Sequence, residues 1–176
     1  MASAGPLRGR KESTYEGGMR VPALAWWPGQ IKAGTASDAL LTAMDILLTF
    51  AGLAGARISQ DRKIDGKNIW PVLSSQAHAK SPHDRFFYFH ANELKAVRSG
   101  PWKYYRILPP SRTNSTSALF NLKLDIGETK DLSEDHPEMV AKLLDYITQF
   151  EEELANVETL GPGVRKVWMG RKSGAA

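Results

Sequence analysis

The residues with the types for chemistry lie in a few places along the chain. A lysine near the amino end follows a glycine in the run Gly9-Arg-Lys11-Glu-Ser-Thr-Tyr15-Glu16-Gly17-Gly18-Met-Arg20. On composition alone Lys11 reads as a solvated loop lysine. Glu16 and Arg20 flank a Gly17-Gly18 turn and have the types to hold such a loop, as a charge-assisted pair or through backbone N–H groups. Asp45 interrupts an apolar run. Burial there suits either catalysis or hydrogen bonding to the preceding loop, and the second use is the expectation. Of the four histidines, His78 and His83 fall in a polar linker and His136 at a helix start, where solvent or capping roles are expected. His90 follows an aromatic run, and on its residues alone it reads as an ordinary strand-end histidine. The chain has no cysteine, which excludes a disulfide framework, a thiolate zinc site and a cysteine nucleophile.

These residues need elements to position them. A length of 176 residues, 42% hydrophobic and 24% charged, suits one soluble globular domain or slightly more, and argues against a disordered or fibrous chain. A net charge of +4 falls short of a dedicated nucleic-acid binder. Residues 1–8 lead into a charged loop without an apolar h-region, so no signal peptide is expected. The apolar run 39–56 is broken by Thr42, Asp45 and Thr49, which predicts a buried helix and no membrane span.

Residues 1–20 read as a loop. Residues 21–27, apolar on both faces and closed by Pro28-Gly29, predict a strand buried inside a larger sheet. Ser37-Asp38 predicts the start of a helix with Leu40, Met44, Leu47 and Ala51 on one face, ended by Gly52 and Gly55. The second half changes character. Residues 85–89, 94–98, 102–107 and 118–122 predict four short strands, the middle two joined as a hairpin by Ser99-Gly100-Pro101. After a polar loop over 109–117, which carries the glycosylation pattern Asn114-Ser-Thr116, a long amphipathic helix begins near His136-Pro137. Its stripe is Met139, Leu143, Ile147, Phe150 and Leu154, with Asp135 and Glu138 suited to a capping box. The stripe should face Phe87, Phe89, Val97 and either Leu119 or Phe120. The aromatic residues of these strands therefore read as core and not as a base-stacking platform. The fold class is α+β: a four-stranded antiparallel sheet packed by a long helix, preceded by a loop, strand and helix that belong to a larger α/β core.

The run from Gly9 to Gly29 strongly resembles the sulfatase family, in the segment that follows the large catalytic region of arylsulfatase-type enzymes. The family's pattern is G-x-K-x-(S/T)-x-(F/Y)-E-G-G-x-R-x-P, then a strand ending in W-P-G. The likeness continues in order. Met44-Asp45 through Thr49 and Leu53-Ala-Gly55 are similar to D-x-x-P-T…L-A-G, with Leu48 in place of proline. Asp65-Gly66 to Leu73 is similar to D-G-x-x-L-x-P-x-L. Ala96-Val-Arg98…Gly100-x-Trp102-Lys103 matches A-V-R-x-G-x-W-K. Leu119-Phe-Asn-Leu122…Glu128-x-x-Asp131-Leu132 follows L-(Y/F)-D-L-x-x-D-P-x-E-x-x-N-L, with Asn121, Gly127 and Asp131 as departures. The style is closest to bacterial arylsulfatases.

The resemblance implies the C-terminal part of an alkaline-phosphatase-like α/β sulfatase fold. Residues 1–75 would be a remnant of the large domain, 76–160 the C-terminal sheet-and-helix subdomain, and 161–176 a basic flexible tail. It implies that Lys11 contacts the sulfate group. A sulfate ester develops negative charge on its bridging oxygen as the S–O bond breaks, and a fixed ammonium lowers that barrier. It makes Glu16, Gly17, Gly18 and Arg20 the residues that shape the loop. The small sheet borders the active-site cleft in the family, which makes His90 the candidate substrate-binding histidine.

Full-length members use a formylglycine, made from the first residue of (C/S)-x-P-x-R, and a divalent cation, usually Ca2+, held by aspartates and an Asp-Asn pair. This chain has no Asp-Asp or Asp-Asn pair, and no metal ligand is assigned. Ser99-Gly-Pro101-Trp-Lys103 nearly fits the nucleophile motif, but it falls in the hairpin turn and reads as coincidence. The expected role is a sulfuric ester hydrolase fragment, inactive alone. It would be completed by an N-terminal sulfatase region and act on a sulfate ester small molecule or a sulfated glycan, without nucleic acid or membrane. The alternative is a non-catalytic module that acts structurally or recognises anionic glycans through Lys11, Arg98 and Lys103.

Overall fold

The computed structural model describes residues 4–59, 61, 63–107 and 116–154. The basic tail from residue 161 and most of the loop over 109–117, including Asn114, lie outside the described residues. Eight elements follow in order: α1 (Glu16–Met19), α2 (Asp45–Leu53), α3 (Trp70–Leu73), β1 (Phe86–His90), β2 (Glu93–Ser99), β3 (Trp102–Tyr105), β4 (Ala118–Asn121) and α4 (Pro137–Leu154). None of the described helices is long and apolar enough to cross a membrane.

The four strands form one antiparallel meander in the order β1-β2-β3-β4. Alternation along a strand sends successive side chains to opposite faces, and the sheet uses both. One face carries Tyr88, Ala96, Tyr105, Ala118 and Phe120, packed with Tyr15 and Leu122. The other carries Leu94, Val97, Tyr104 and Leu119 under Leu143 and Ile147 of α4. Leu94 and Ala96 would share a face in a regular strand. They do not, because Tyr88 pairs with Ala96 while Phe89 pairs with Leu94, which leaves Lys95 as the extra residue of a bulge and reverses the alternation. The Lys95 carbonyl accepts from the Arg106 N–H at 2.9 Å.

Met139, Leu143, Ile147 and Phe150 of the helix stripe dock on the sheet as their spacing predicts. Phe87 stacks on Phe150 with ring centroids 3.9 Å apart, and Phe89 meets Phe150 edge-on at 5.9 Å. Leu119 is the β4 residue under the helix, while Phe120 faces the opposite side. The expected Asp135–Glu138 box is replaced by a different start. Pro137 occupies the first helical position, where a missing N–H costs nothing, and the His136 carbonyl accepts from Met139 and Val140.

The first half departs from expectation. Residues 21–27 form no strand, and Val21 (79%), Leu24 (94%) and Trp26 (81%) are exposed. A strand apolar on both faces needs neighbours on both edges, and the described residues supply none. The expected helix from residue 38 begins only at Asp45. The Asp45 carboxylate accepts the Thr42 N–H at 2.7 Å and the Lys67 N–H at 2.8 Å, so the chain before it is held as an irregular approach. Ile46, Leu47 and Phe50 of α2 are exposed.

The Asp65-Gly66 pair has a steric reason. A Cβ on Gly66 would lie 2.0 Å from the Met44 carbonyl oxygen. His83 also departs from its expected solvent role. Its Nε2 lies 2.8 and 2.9 Å from the two Asp45 carboxylate oxygens, with its side chain only 8% exposed. A buried carboxylate with two backbone donors and an imidazole is satisfied, and this cluster ties α2 to the approach to β1.

Candidate anion-binding loop

Residues 8–20 form the loop around Lys11. Its base is closed by the Gly17 N–H, which donates to the Arg8 carbonyl at 2.8 Å. The Ser13 N–H donates to the Arg10 carbonyl at 3.0 Å and turns the tip. The two glycines of α1 are required by crowding. A Cβ on Gly17 would meet the Arg8 carbonyl oxygen at 2.6 Å, and one on Gly18 the Ser13 carbonyl oxygen at 2.2 Å. Lys11 projects from this turn, exposed, without a hydrogen bond or ion pair among the described residues. Its neighbour Glu12 sits at φ 76°, a left-handed conformation uncommon for a residue with a side chain.

The loop is fastened to the small sheet by a buried charged cluster. Lys103 of β3 is fully buried, and its Nζ donates to the Thr14 carbonyl (2.8 Å) and to Glu16 Oε1 (2.8 Å), with Glu128 Oε1 at 3.0 Å. The Tyr105 hydroxyl shares its one proton between the Thr14 carbonyl at 2.8 Å and Glu128 Oε1 at 3.0 Å. Tyr88 donates to Glu16 Oε1 at 3.2 Å, and its ring lies 4.1 Å from the Lys103 ammonium. The Glu16 N–H donates to Glu128 Oε2 at 2.8 Å, while an Arg8 guanidinium N–H donates to the Glu128 carbonyl at 2.7 Å. On the outer side Glu16 Oε2 takes Arg20 at 2.5 Å, with Arg98 at 3.6 Å.

The electrostatics follow from this crowding. Burial pushes the Glu16 carboxyl up, but Lys103 and Arg20 more than reverse it and hold its pKa below the ordinary value. Burial lowers the Lys103 ammonium against the pull of Glu16 and Glu128. Burial, reinforced by the neighbouring carboxylates, raises the phenols of Tyr88 and Tyr105. The cluster is a fixed set of charges satisfied from within, and Lys11 stands outside it.

The predicted site residues therefore divide. Glu16, Gly17, Gly18 and Arg20 meet at the loop base beneath Lys11. His90 ends β1, exposed and paired across the strands with Glu93, with no hydrogen bond to the loop among the described residues. Arg98 turns to Glu16 and the Gly100 carbonyl, and Lys103 is buried, which corrects the expectation that both present charge to an anionic glycan. Glu128, Tyr88 and Tyr105 were absent from the expected site. The available signal was strand alternation, which sets Lys103 on the same face as Tyr105, and a glutamate within a matched motif.

Among the described residues no group of three or more His, Asp or Glu could hold a metal ion, so the described residues do not by themselves fit a calcium site. The near match to a formylglycine motif is structural: the Ser99 hydroxyl donates to the Asp84 carbonyl at 2.9 Å, and Lys103 belongs to the buried cluster.

Comparison with known proteins agrees with this arrangement. The model of the family described as N-sulphoglucosamine sulphohydrolase, C-terminal, matches residues 10–157. N-acetylgalactosamine-6-sulfatase of Mus musculus is 43% identical over 101 residues, covering 57% of this chain and 19% of that protein. Arylsulfatase G of Rattus norvegicus is 34% identical over 146 residues, 73% of this chain and 27% of that protein. The chain thus spans about a fifth to a quarter of these relatives' length. The solved PsFucS1 sulfatase from Pseudoalteromonas sp. shares the fold, with a TM-score of 0.70 at 23% identity over 82% of this chain and 32% of that one. A sheet-and-helix unit with a lysine-bearing loop latched beneath it is thus the form taken here by the C-terminal portion of a sulfatase, and the chain belongs to the N-sulphoglucosamine sulphohydrolase C-terminal family.

Proposed function

We propose that this chain supplies the sulfate-contacting lysine and the C-terminal subdomain to hydrolysis of a sulfate ester, with a sulfated sugar as the favoured substrate class. The observation that carries the reading is Lys11: an exposed ammonium without a partner among the described residues, on a turn fixed at both ends. A free lysine side chain loses much rotamer freedom on engaging a ligand, whereas a pre-shaped turn limits the backbone part of that cost. The ammonium then stabilises negative charge as it develops on the bridging oxygen. The sugar class rests on the names of relatives such as N-acetylgalactosamine-6-sulfatase. His90, at the exposed end of β1, is assigned a contact with the same substrate.

The division at residue 75 belongs to the same proposal. The exposed apolar residues 21–27 and the outer face of α2 have the chemistry of a surface that packs on a larger α/β domain. A non-catalytic glycan-binding module is the weaker reading, because Lys103 is withdrawn from solvent and Arg98 is engaged by Glu16. In an active full-length sulfatase carrying this segment, Lys11→Ala is expected to lower kcat by about 10²–10³, the scale of losing one oxyanion stabiliser. The purified chain alone is expected to leave a chromogenic aryl sulfate intact, with or without added calcium. Wild-type kcat in Lys11→Ala would reduce Lys11 to a surface residue.

A further inference from the structure

The polar groups on the loop side of the sheet share one target. A strand-interior lysine is an expensive choice for stability alone, since an apolar side chain of similar volume avoids the desolvation of an ammonium. Yet Lys103 directs two contacts to the loop, at the Thr14 carbonyl and Glu16 Oε1, and its third to Glu128. Glu128 in turn grips the loop twice, at the Glu16 N–H and through the Arg8 guanidinium. The Tyr88 and Tyr105 hydroxyls reach the same two loop residues, Glu16 and Thr14. Lys11 lies midway between the grips at Arg8 and Thr14. The left-handed Glu12 beside it is a conformation that persists only where surrounding structure enforces it.

We propose that Lys103 is a positioning residue for Lys11: from β3 it fixes Thr14 and Glu16, and through them the place of the Lys11 ammonium against a bound sulfate group. This rests on the reading of Lys11 as the sulfate contact. It adds that β3, through the buried Lys103, sets the geometry of the anion site without touching the anion. Lys103 acts only through the loop, so its removal and that of Lys11 should not be additive.

The test uses the full chain, isotope-labelled, titrated with inorganic sulfate, with amide hydrogen exchange followed at Ser13 and Gly17. Lys11→Ala is expected to weaken sulfate binding about tenfold. Lys103→Met should weaken it by a similar factor and speed exchange at Ser13 and Gly17 relative to the amides of β2 and β3. The double variant should bind sulfate no more weakly than Lys11→Ala alone. Tyr105→Phe removes a donor to Thr14 without changing charge and carries the same test if Lys103→Met does not fold. It should shift affinity and exchange in the same direction by a smaller factor. Wild-type affinity and exchange in these variants overturn the positioning role, as does a loss that adds in full to that of Lys11→Ala. Unchanged sulfate binding in Lys11→Ala, or none in the wild type, overturns the reading of Lys11 instead, and the exchange rates then decide by themselves whether Lys103 holds the loop.

Discussion

Leu143→Asp is expected to unfold the sheet-and-helix unit. Leu143 is completely buried in the cluster formed by Leu94, Val97, Tyr104, Leu119 and Ile147. The substitution forfeits about 1.5–3 kcal/mol of side-chain burial and sets a carboxylate among apolar side chains, where ionisation costs several kcal/mol more. Domains of this size have only about 5–15 kcal/mol in total. Urea unfolding followed by circular dichroism is the measurement, with the graded control Leu143→Ala expected to cost about 2–5 kcal/mol. A folded Leu143→Asp with a wild-type midpoint would mean that α4 is not seated as described.

Lys103→Met is expected to be the most damaging conservative-volume change on the other face of the sheet. It leaves Glu16 and Glu128, both almost fully buried, without the ammonium between them. Removing one partner of a buried ion pair costs about 3–5 kcal/mol. The Tyr15, Tyr88 and Tyr105 cluster should loosen with it. A pH dependence accompanies this. The folded Glu16 pKa lies below its ordinary value of 4.5, so the stabilisation it brings is fully present above that value and is lost as pH falls through the folded pKa. Wild-type urea midpoints should therefore fall on acidification below about pH 4.5, and Glu16→Gln, already destabilised at neutral pH, should show a flatter acid limb. An unchanged midpoint in Lys103→Met would show that the cluster contributes nothing net.

The small sheet and its helix were legible because their signals are local. Period-2 alternation in the strands, the Gly100-Pro101 turn and the apolar stripe of α4 each specify one element and the face it buries. The bulge at Lys95 was not legible, since one extra residue leaves no mark in the pattern, and it decides which face Leu94 joins. The pairing of Asp45 with His83, and the late start of α2 that goes with it, join residues far apart in sequence. No local pattern relates them.

What the sequence by itself determined was the family, the α+β class and the residues of the loop: Lys11, the Gly17-Gly18 turn, Glu16 and Arg20. Only the tertiary structure decided what those residues do to each other. Lys103 reads in sequence as an exposed cation on a short strand, and becomes buried because Glu16, Glu128 and the Thr14 carbonyl converge on it. Residues 21–27 read as a buried strand, and lie exposed because strand burial depends on partners and not on the segment's own apolarity. Local preference chooses an element, but whether a charge is buried or an apolar run is covered depends on what the rest of the fold brings to it.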